Sequence, residues 1–276
     1  MRISKKANVV TITAADVPAQ AIHDLMSGLL HFDMWWRFAV FDIKQRFRRS
    51  VIGPFWLTLS MGIMVGAIAL VFSSVFKQDV AKILPYIAVG LIFWGLLTSC
   101  INEGAVVFIG SAAHIRNVPM ELSIHVYRMI ARNVIILCFN MAIYLIVLLL
   151  FPHPLNFNYL LAIPGFALFL INLTWISISL AVLSARYRDI PQVMASLVQV
   201  VFFVTPVFWS VDSLPHRPAF IVWNPAYHLL EVVRAPLLGG TASTLSWIVA
   251  AGCSLLGCAA TVLLYRRAYA RISYWV

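Results

Sequence analysis

From Lys44 to Phe76 the chain reads KQRFRRSVIGPFWLTLSMGIMVGAIALVFSSVF: four cations, Lys44, Arg46, Arg48 and Arg49, then more than 20 residues without a charge until Lys77. About 20 apolar residues, at about 1.5 Å of rise each, match the ~30 Å hydrocarbon core of a bilayer. This stretch is therefore read as a membrane span. Lys/Arg clusters beside a first span stay on the cytoplasmic side, so the same stretch also orients the chain.

Apolar runs recur over 52–76, 84–110, 129–151, 159–184, 190–211 and 244–265, which predicts six spans. A chain crossing lipid must satisfy its backbone polar groups within each segment, so the expected fold is an all-α membrane protein. Composition agrees. Charged residues make up 11 % against about 25 % in soluble domains, and mean hydropathy is +0.91. With the N-terminus inside, eight Lys/Arg precede the first span, three lie between spans two and three or in the first turn of span three, two between four and five, and three follow the last, against four on the other side. Both termini are then cytoplasmic. The net charge of +10 sits at span ends, where anionic membrane lipids explain it better than nucleic acid does. The first 30 residues lack the apolar core of a signal peptide, so the N-terminus is expected to be retained.

The chain divides into a mobile tail over 1–28, an amphipathic helix over 29–50, and a six-span domain over 51–276. At 100° per residue, Phe32, Trp36, Val40, Ile43 and Phe47 share an arc of about 80°, with Arg37, Lys44 and Arg48 on one flank and Arg46 and Arg49 on the other. A basic, Trp-bearing amphipathic helix lies in the membrane interface, or packs its apolar face on protein. Pro54 is expected to separate it from the first span.

At the opposite face, residues 211–240 form a long, half-apolar, proline-rich connection. Pro206 cuts the fifth run short, and Asn224 followed by Pro225 makes an N-cap and N1 pair for a second short helix that carries Tyr227, His228, Glu231 and Arg234. The expected form is a re-entrant helix pair; the alternative is a plain outer loop.

No GxSxG, HExxH or paired-carboxylate pattern is present, the seven histidines are scattered, and the four cysteines lie inside apolar runs without CxxC spacing. Neither a metal site nor a covalent reaction is indicated. Asn102 and Glu103 are the polar pair inside the second run, and an ionisable residue there is a functional candidate, or an anchor at the interface. One intramembrane acid is few for ion-coupled transport. None of the five lysines follows a glycine, so there is no P-loop, and ATP would have to bind another chain. In the inner loops, Pro119 and Glu121 suit the first turn of a short helix, and Asp189 suits an N-cap ahead of Pro191. Gly62 and Gly66 form a GxxxG that either permits close helix approach or arises by chance. Aromatic clusters such as Phe93/Trp94, Phe202/Phe203 and Phe208/Trp209 fit interfacial belts, or flat faces for sugar rings.

RFRRSVIGPFWLTLS after an amphipathic helix, INEGA, ARYRDIPQ, TPVFW and WNPAYHLLEVVRAPLL, in that order, resemble the type-2 ABC exporter permeases of bacterial polysaccharides, which export O-antigen, capsule or teichoic acid chains. The resemblance runs from about residue 30 to 270. It implies a homodimer joined to two copies of a separate ABC ATPase that binds ATP and Mg, with a lipid-linked polysaccharide passing along the dimer interface in the bacterial inner membrane. It further implies that Trp36, Arg37, Lys44, Arg46, Arg48 and Arg49 form a lateral gate for the lipid diphosphate. Arg116, Asn117, Pro119, Met120 and Glu121 would couple to the ATPase, with Arg186, Tyr187, Arg188 and Asp189 as a second contact. The short helices from Pro218 to Ala235 would flank the exit. The inner loop departs from the family in having Val118 before Pro119 and Ser123 in place of a later proline. Rival expectations are a small-molecule exporter of the same superfamily, an ion-coupled transporter, and a membrane enzyme acting on lipid-linked sugars.

Overall fold

A computed structural model describes residues 17–77, 79–152, 156–209 and 219–276. Among these residues the chain is all-α: α1 (Val17–Leu30), α2 (Phe32–Arg46), α3 (Phe55–Phe76), α4 (Val80–Gly110), α5 (Ala112–Asn117), α6 (Ser123–Leu150), α7 (Ala162–Arg186), α8 (Ile190–Val204), α9 (Ala219–Val222), α10 (Pro225–Leu237) and α11 (Thr244–Trp275). A 3-10 turn, Phe157–Leu161, leads into α7.

Five helices, α3, α4, α6, α7 and α11, are long and apolar enough to cross a membrane. Among the described residues these are five of the six expected spans, and the remaining apolar run falls on a shorter helix. The run over 190–211 yields α8, whose 15 residues rise only about 22 Å. The helix stops at Thr205, ahead of Pro206, where the sequence places the interruption. The mobile tail expected over 1–28 is also corrected from Val17 onward, since α1 is a helix packed on α6 and α11. Its first 16 residues lie outside the described residues, as does Pro218.

Between α2 and α3 the chain turns rather than continuing as one helix. Gly53 adopts φ +62°, in the left-handed region where a side chain is strained, and its amide bonds to Ser50 Oγ at 3.0 Å. Pro54 then caps α3, where its missing N–H costs nothing. Pro225 opens α10 as its first helical residue, behind the cap. Asn224 Oδ1 accepts from the amides of Ala226 and Tyr227, which is the capping that the sequence calls for. Asp189 does not behave this way: it stands at the N-cap of α8 with helical φ/ψ and its side chain makes no capping bond.

The hub is α4, which packs against α3, α6, α7 and α8. Its most apolar stretch is 67 % buried, against 11 % for α3, so α3 presents most of its surface outward. The aromatic clusters pack largely on one another. Phe93 meets Phe166 and Phe169, Trp94 meets Phe202, and Phe208 meets Phe72 at 5.0 Å, tying α3, α4 and α8 together. Phe203 meets Phe202 and Phe208 as well, yet keeps 62 % of its surface exposed.

Close helix approach occurs away from the GxxxG. A Cβ on Gly66 would meet nothing within 4 Å, and one on Gly62 only Ile143 at 3.7 Å. At Gly165, where α7 meets α10, a Cβ would sit 2.2 Å from the backbone oxygen of Val232. Backbone cannot swing aside as a side chain can. Gly165→Ala is therefore expected to lower stability by about 1–3 kcal/mol, while Gly66→Ala is neutral; thermal melting of the detergent-solubilised protein distinguishes them.

Candidate functional site

The basic end of the bundle carries the densest polar chemistry. Asp42, on α2, accepts from Arg128 Nε at 2.7 Å, from a second Arg128 nitrogen, and from Arg132 Nη1 at 3.1 Å. Arg132 Nη2 donates to Glu103 Oε2 at 2.6 Å, and Asn133 Nδ2 reaches the same oxygen at 2.8 Å. Two carboxylates and two guanidiniums thus form a neutral ladder from α2 through α6 to α4. Charges at membrane depth are tolerated when paired in this way. Glu103 is an anchor in this ladder, while the half-buried Asn102 has a buried Oδ1 with no partner among the described residues.

The sequence singled out Glu103 but missed Asp42, Arg128, Arg132 and Asn133. A signal was present. Arg132 and Asn133 lie inside the apolar run 129–151, where each needs a partner, and Arg128 and Arg132 share a helix face at i, i+4. Asp42 is less visible because a helical wheel sets it on the flank with Arg46 and Arg49, where it reads as one more solvated charge. The buried side of α2 runs through Ala39, Asp42 and Ile43, whereas Phe32 and Trp36 remain 53 % and 38 % exposed. Those two rings stack on each other at 5.8 Å.

Five further cations at this end, Arg37, Lys44, Arg46, Arg48 and Arg49, are exposed and form no ion pair with a described carboxylate. Arg46 lies over the ring of Phe47 at 5.8 Å. A dense positive surface unneutralised by protein attracts anions such as phosphates.

A second device holds this end together. Asp24 of α1, 2 % exposed, accepts from the amides of Leu122 at 2.8 Å and Ser123 at 3.1 Å, and so caps α6 from a different helix. Tyr265 and Tyr269 of α11 donate to the same carboxylate at 2.7 and 3.4 Å.

The inner loops depart from expectation. The short helix is α5, and Pro119 and Glu121 lie after it in a non-helical connector, not in its first turn. The extended backbone of Val118 (φ −120°, ψ 119°) explains this, since the residue before a proline disfavours helix. Pro119 is exposed and Met120 half-buried. Asn117 Nδ2 bonds back to Ala113 O at 2.8 Å. Glu121 accepts from Ser27 Oγ at 2.8 Å and lies 3.6 Å from His31 Nδ1. Burial pushes its pKa up, but a backbone hydrogen bond, the Ser27 hydroxyl and the nearby His31 and His23 outweigh this and hold it below the usual value. A lowered folded pKa means the contact is complete at neutral pH and is lost only as pH falls through that lowered value.

The two inner loops meet on one element. Arg116 donates to the backbone oxygen of Val276, Arg188 Nη2 to that of Trp275 at 2.8 Å, and Arg186 lies over the Trp275 ring at 5.6 Å and Tyr187 at 5.1 Å. Tyr187 and Asp189 are exposed. Sequence spacing offers no hint of this convergence on α11.

The other end of the bundle is separate. His228, 2 % exposed, bonds through its two ring nitrogens to Ser246 Oγ and the Val222 carbonyl, and so braces α10 against α11. Asn224 Nδ2 reaches Thr205 Oγ1 at 2.9 Å. Arg234 is buried, pairs with Glu231 at 2.6 Å, donates to Pro206 O at 2.6 Å, and lies 3.9 Å over the Tyr86 ring. Tyr227 packs its ring on His228 at 5.2 Å. Among the described residues no group of three His, Cys, Asp or Glu could hold a metal.

A family profile described as ABC-2 type transporter matches residues 35–238. The chain is 22 % identical over 205 residues to the O-antigen export system permease protein RfbA of Klebsiella pneumoniae, covering 72 % of this chain and 78 % of that one. It is 21 % identical over 202 residues to the O-antigen export system permease protein RfbA of Myxococcus xanthus, covering 70 % and 76 %.

Proposed function

The chain belongs to the ABC-2 type transporter family, and from that premise we propose that it is the transmembrane subunit of an ATP-driven exporter that moves a lipid-linked polysaccharide, of O-antigen or capsule type, across a bacterial inner membrane. The observation that carries the polysaccharide reading is the match, over about 70 % of the chain, to two O-antigen export permeases. On this reading two copies of the chain join two copies of a separate ABC ATPase, which binds ATP and Mg.

The basic end faces the cytoplasm, as positive flanks do. There the exposed Arg37, Lys44, Arg46, Arg48 and Arg49, with Trp36 on the interfacial helix, receive the diphosphate of the lipid carrier. The Asp42 ladder holds α2 against α6 and α4, so the basic surface has a fixed position beside α3. Arg116 to Glu121 and Arg186 to Asp189 contact the ATPase. Both loops grip the last turn of α11, so closure of the ATPase pair pulls on α11 and α7 together and moves the bundle as a unit. At the outer face α8, α9 and α10 form the short re-entrant layer that flanks the exit, with α10 pinned to Thr205 and Pro206.

Deleting the gene in its host tests the reading. Loss of the long surface glycan on a gel, with glycolipid accumulating inside and both restored by the plasmid-borne gene, is the expected result. Unaltered surface glycan, with reduced efflux of a small hydrophobic compound, would assign the chain to drug export instead.

A further inference from the structure

A cavity of about 310 Å3 opens between α3, α4 and α6, directly beside the Asp42 ladder. Most of its wall is apolar, but Ser60, Ser99, Glu103, Asn133 and Asn140 line it, and Arg46 stands at its rim. Polar groups inside an apolar bundle require partners. Some are met by protein: Ser60 donates to the Trp56 carbonyl at 2.9 Å, Asn133 Nδ2 binds Glu103, and Glu103 Oε2 holds Arg132. Asn140 is not met. It is only 8 % exposed, and its Oδ1 has no hydrogen-bond partner among the described residues.

The unmet capacity is mainly acceptor capacity: the Asn140 amide, the second oxygen of Glu103, and seryl lone pairs. Such a set calls for a ligand rich in hydroxyl donors. Among the described residues that line the cavity the one uncommitted charge is Arg46, because Glu103 is already matched by Arg132. It calls for an anion at the rim and repels a cation. A bare metal ion is excluded by the same count, since the only carboxylate in the wall is already paired with Arg132. The volume lies at the low end of the ~300–1,000 Å3 of ligand pockets, enough for a sugar ring and too small for a polymer.

We propose that this cavity, on the export reading above, is the subsite for the first sugar of the lipid-linked glycan, with sugar hydroxyls on Asn140, Ser99 and Glu103 and the adjoining phosphate on Arg46. It makes the carrier's sugar-phosphate junction, rather than the length or sequence of the polymer, the feature recognised within one subunit.

The test uses the complete permease–ATPase complex in phospholipid nanodiscs, with two probes: a polyprenyl diphosphate carrying one hexose, and the same polyprenyl diphosphate without it. The half-saturating concentration for ATPase stimulation is read for each. The wild type is expected to respond to the hexose-bearing lipid at about tenfold lower concentration, the effect of one or two hydrogen bonds. Asn140→Leu is expected to bring the two probes within about twofold of each other, and Arg46→Gln to weaken both alike. Ser99→Ala, which removes only a hydroxyl from a helix, is expected to shrink the preference as well, so the test survives if Asn140→Leu does not assemble. An undiminished sugar preference in whichever of these two variants assembles overturns the subsite. So does a wild type that answers both probes equally, and in both cases the export reading stands. A wild type that answers neither probe overturns the export reading and the subsite together.

Discussion

Asp24→Ala is expected to free α1 from the bundle, raising hydrogen exchange of its backbone amides by about 100-fold or more. The carboxylate is buried and accepts four hydrogen bonds, two from the first amides of α6 and two from tyrosines of α11. Hydrogen bonds to a charged group contribute about 1.5–3 kcal/mol each when one partner is deleted, and they are not additive. A total of about 3–5 kcal/mol is the reasonable scale, and that corresponds to a factor of about 150 to several thousand in local opening. The long spans should persist, because each satisfies its own backbone inside lipid. Asp24→Asn is expected to be nearly as harmful, since an amide turns a donor toward groups that themselves donate. Exchange in α1 equal to the wild type would show that Ala21 and Leu25, both in the core, suffice to dock it.

Arg234→Met is expected to be the most destabilising single change at the outer end. It removes the guanidinium from Tyr86, strands the Glu231 carboxylate in a half-buried position, and takes one of two donors from the Pro206 carbonyl, which Tyr86 Oη also reaches at 3.2 Å. Breaking one side of a buried ion pair costs about 3–5 kcal/mol. At about 2–4 °C per kcal/mol for chains near this size, the apparent melting midpoint in detergent should fall by about 6–20 °C. Arg234→Lys should recover little, because an ammonium cannot fork between Glu231 and Pro206 while stacking on a ring. Adding Glu231→Gln to Arg234→Met should restore part of the loss by removing the stranded charge. A double variant no more stable than the single one would place the effect in packing rather than in the charge pair.

Both residues show where sequence reading stops. Arg234 was counted among outer-loop cations, yet it is buried, because α10 folds back between α4, α7 and α11 and turns that face inward. Asp24 fell in a stretch expected to be a mobile tail; its partners lie about 100 and 240 residues away. Asp42 is a parallel case, since a helical wheel places it on the polar flank with Arg46 and Arg49 and only its place opposite α6 makes it an anchor. The Asn140 amide was likewise one polar residue in an apolar run, without a signal that a hollow adjoined it. By contrast, the break at Pro54, the Asn224 cap and the short fifth apolar run were all legible, because each depends on the residues next to it.

The division has a physical origin. Hydropathy, caps and prolines act within one or two turns of a helix, so the sequence by itself determined that this chain is helical, that it crosses a membrane, where its helices break and which end carries the uncompensated positive charge. The opening stretch Lys44–Phe76 already held the basic surface and the span beside it. Which helices neighbour one another, and at what rotation, depends on long-range packing. Only the tertiary structure therefore decided that Asp42 would bridge two arginines, that Asp24 would cap a distant helix, that both inner loops would grip one end of α11, and that a polar cavity would open beside Arg46.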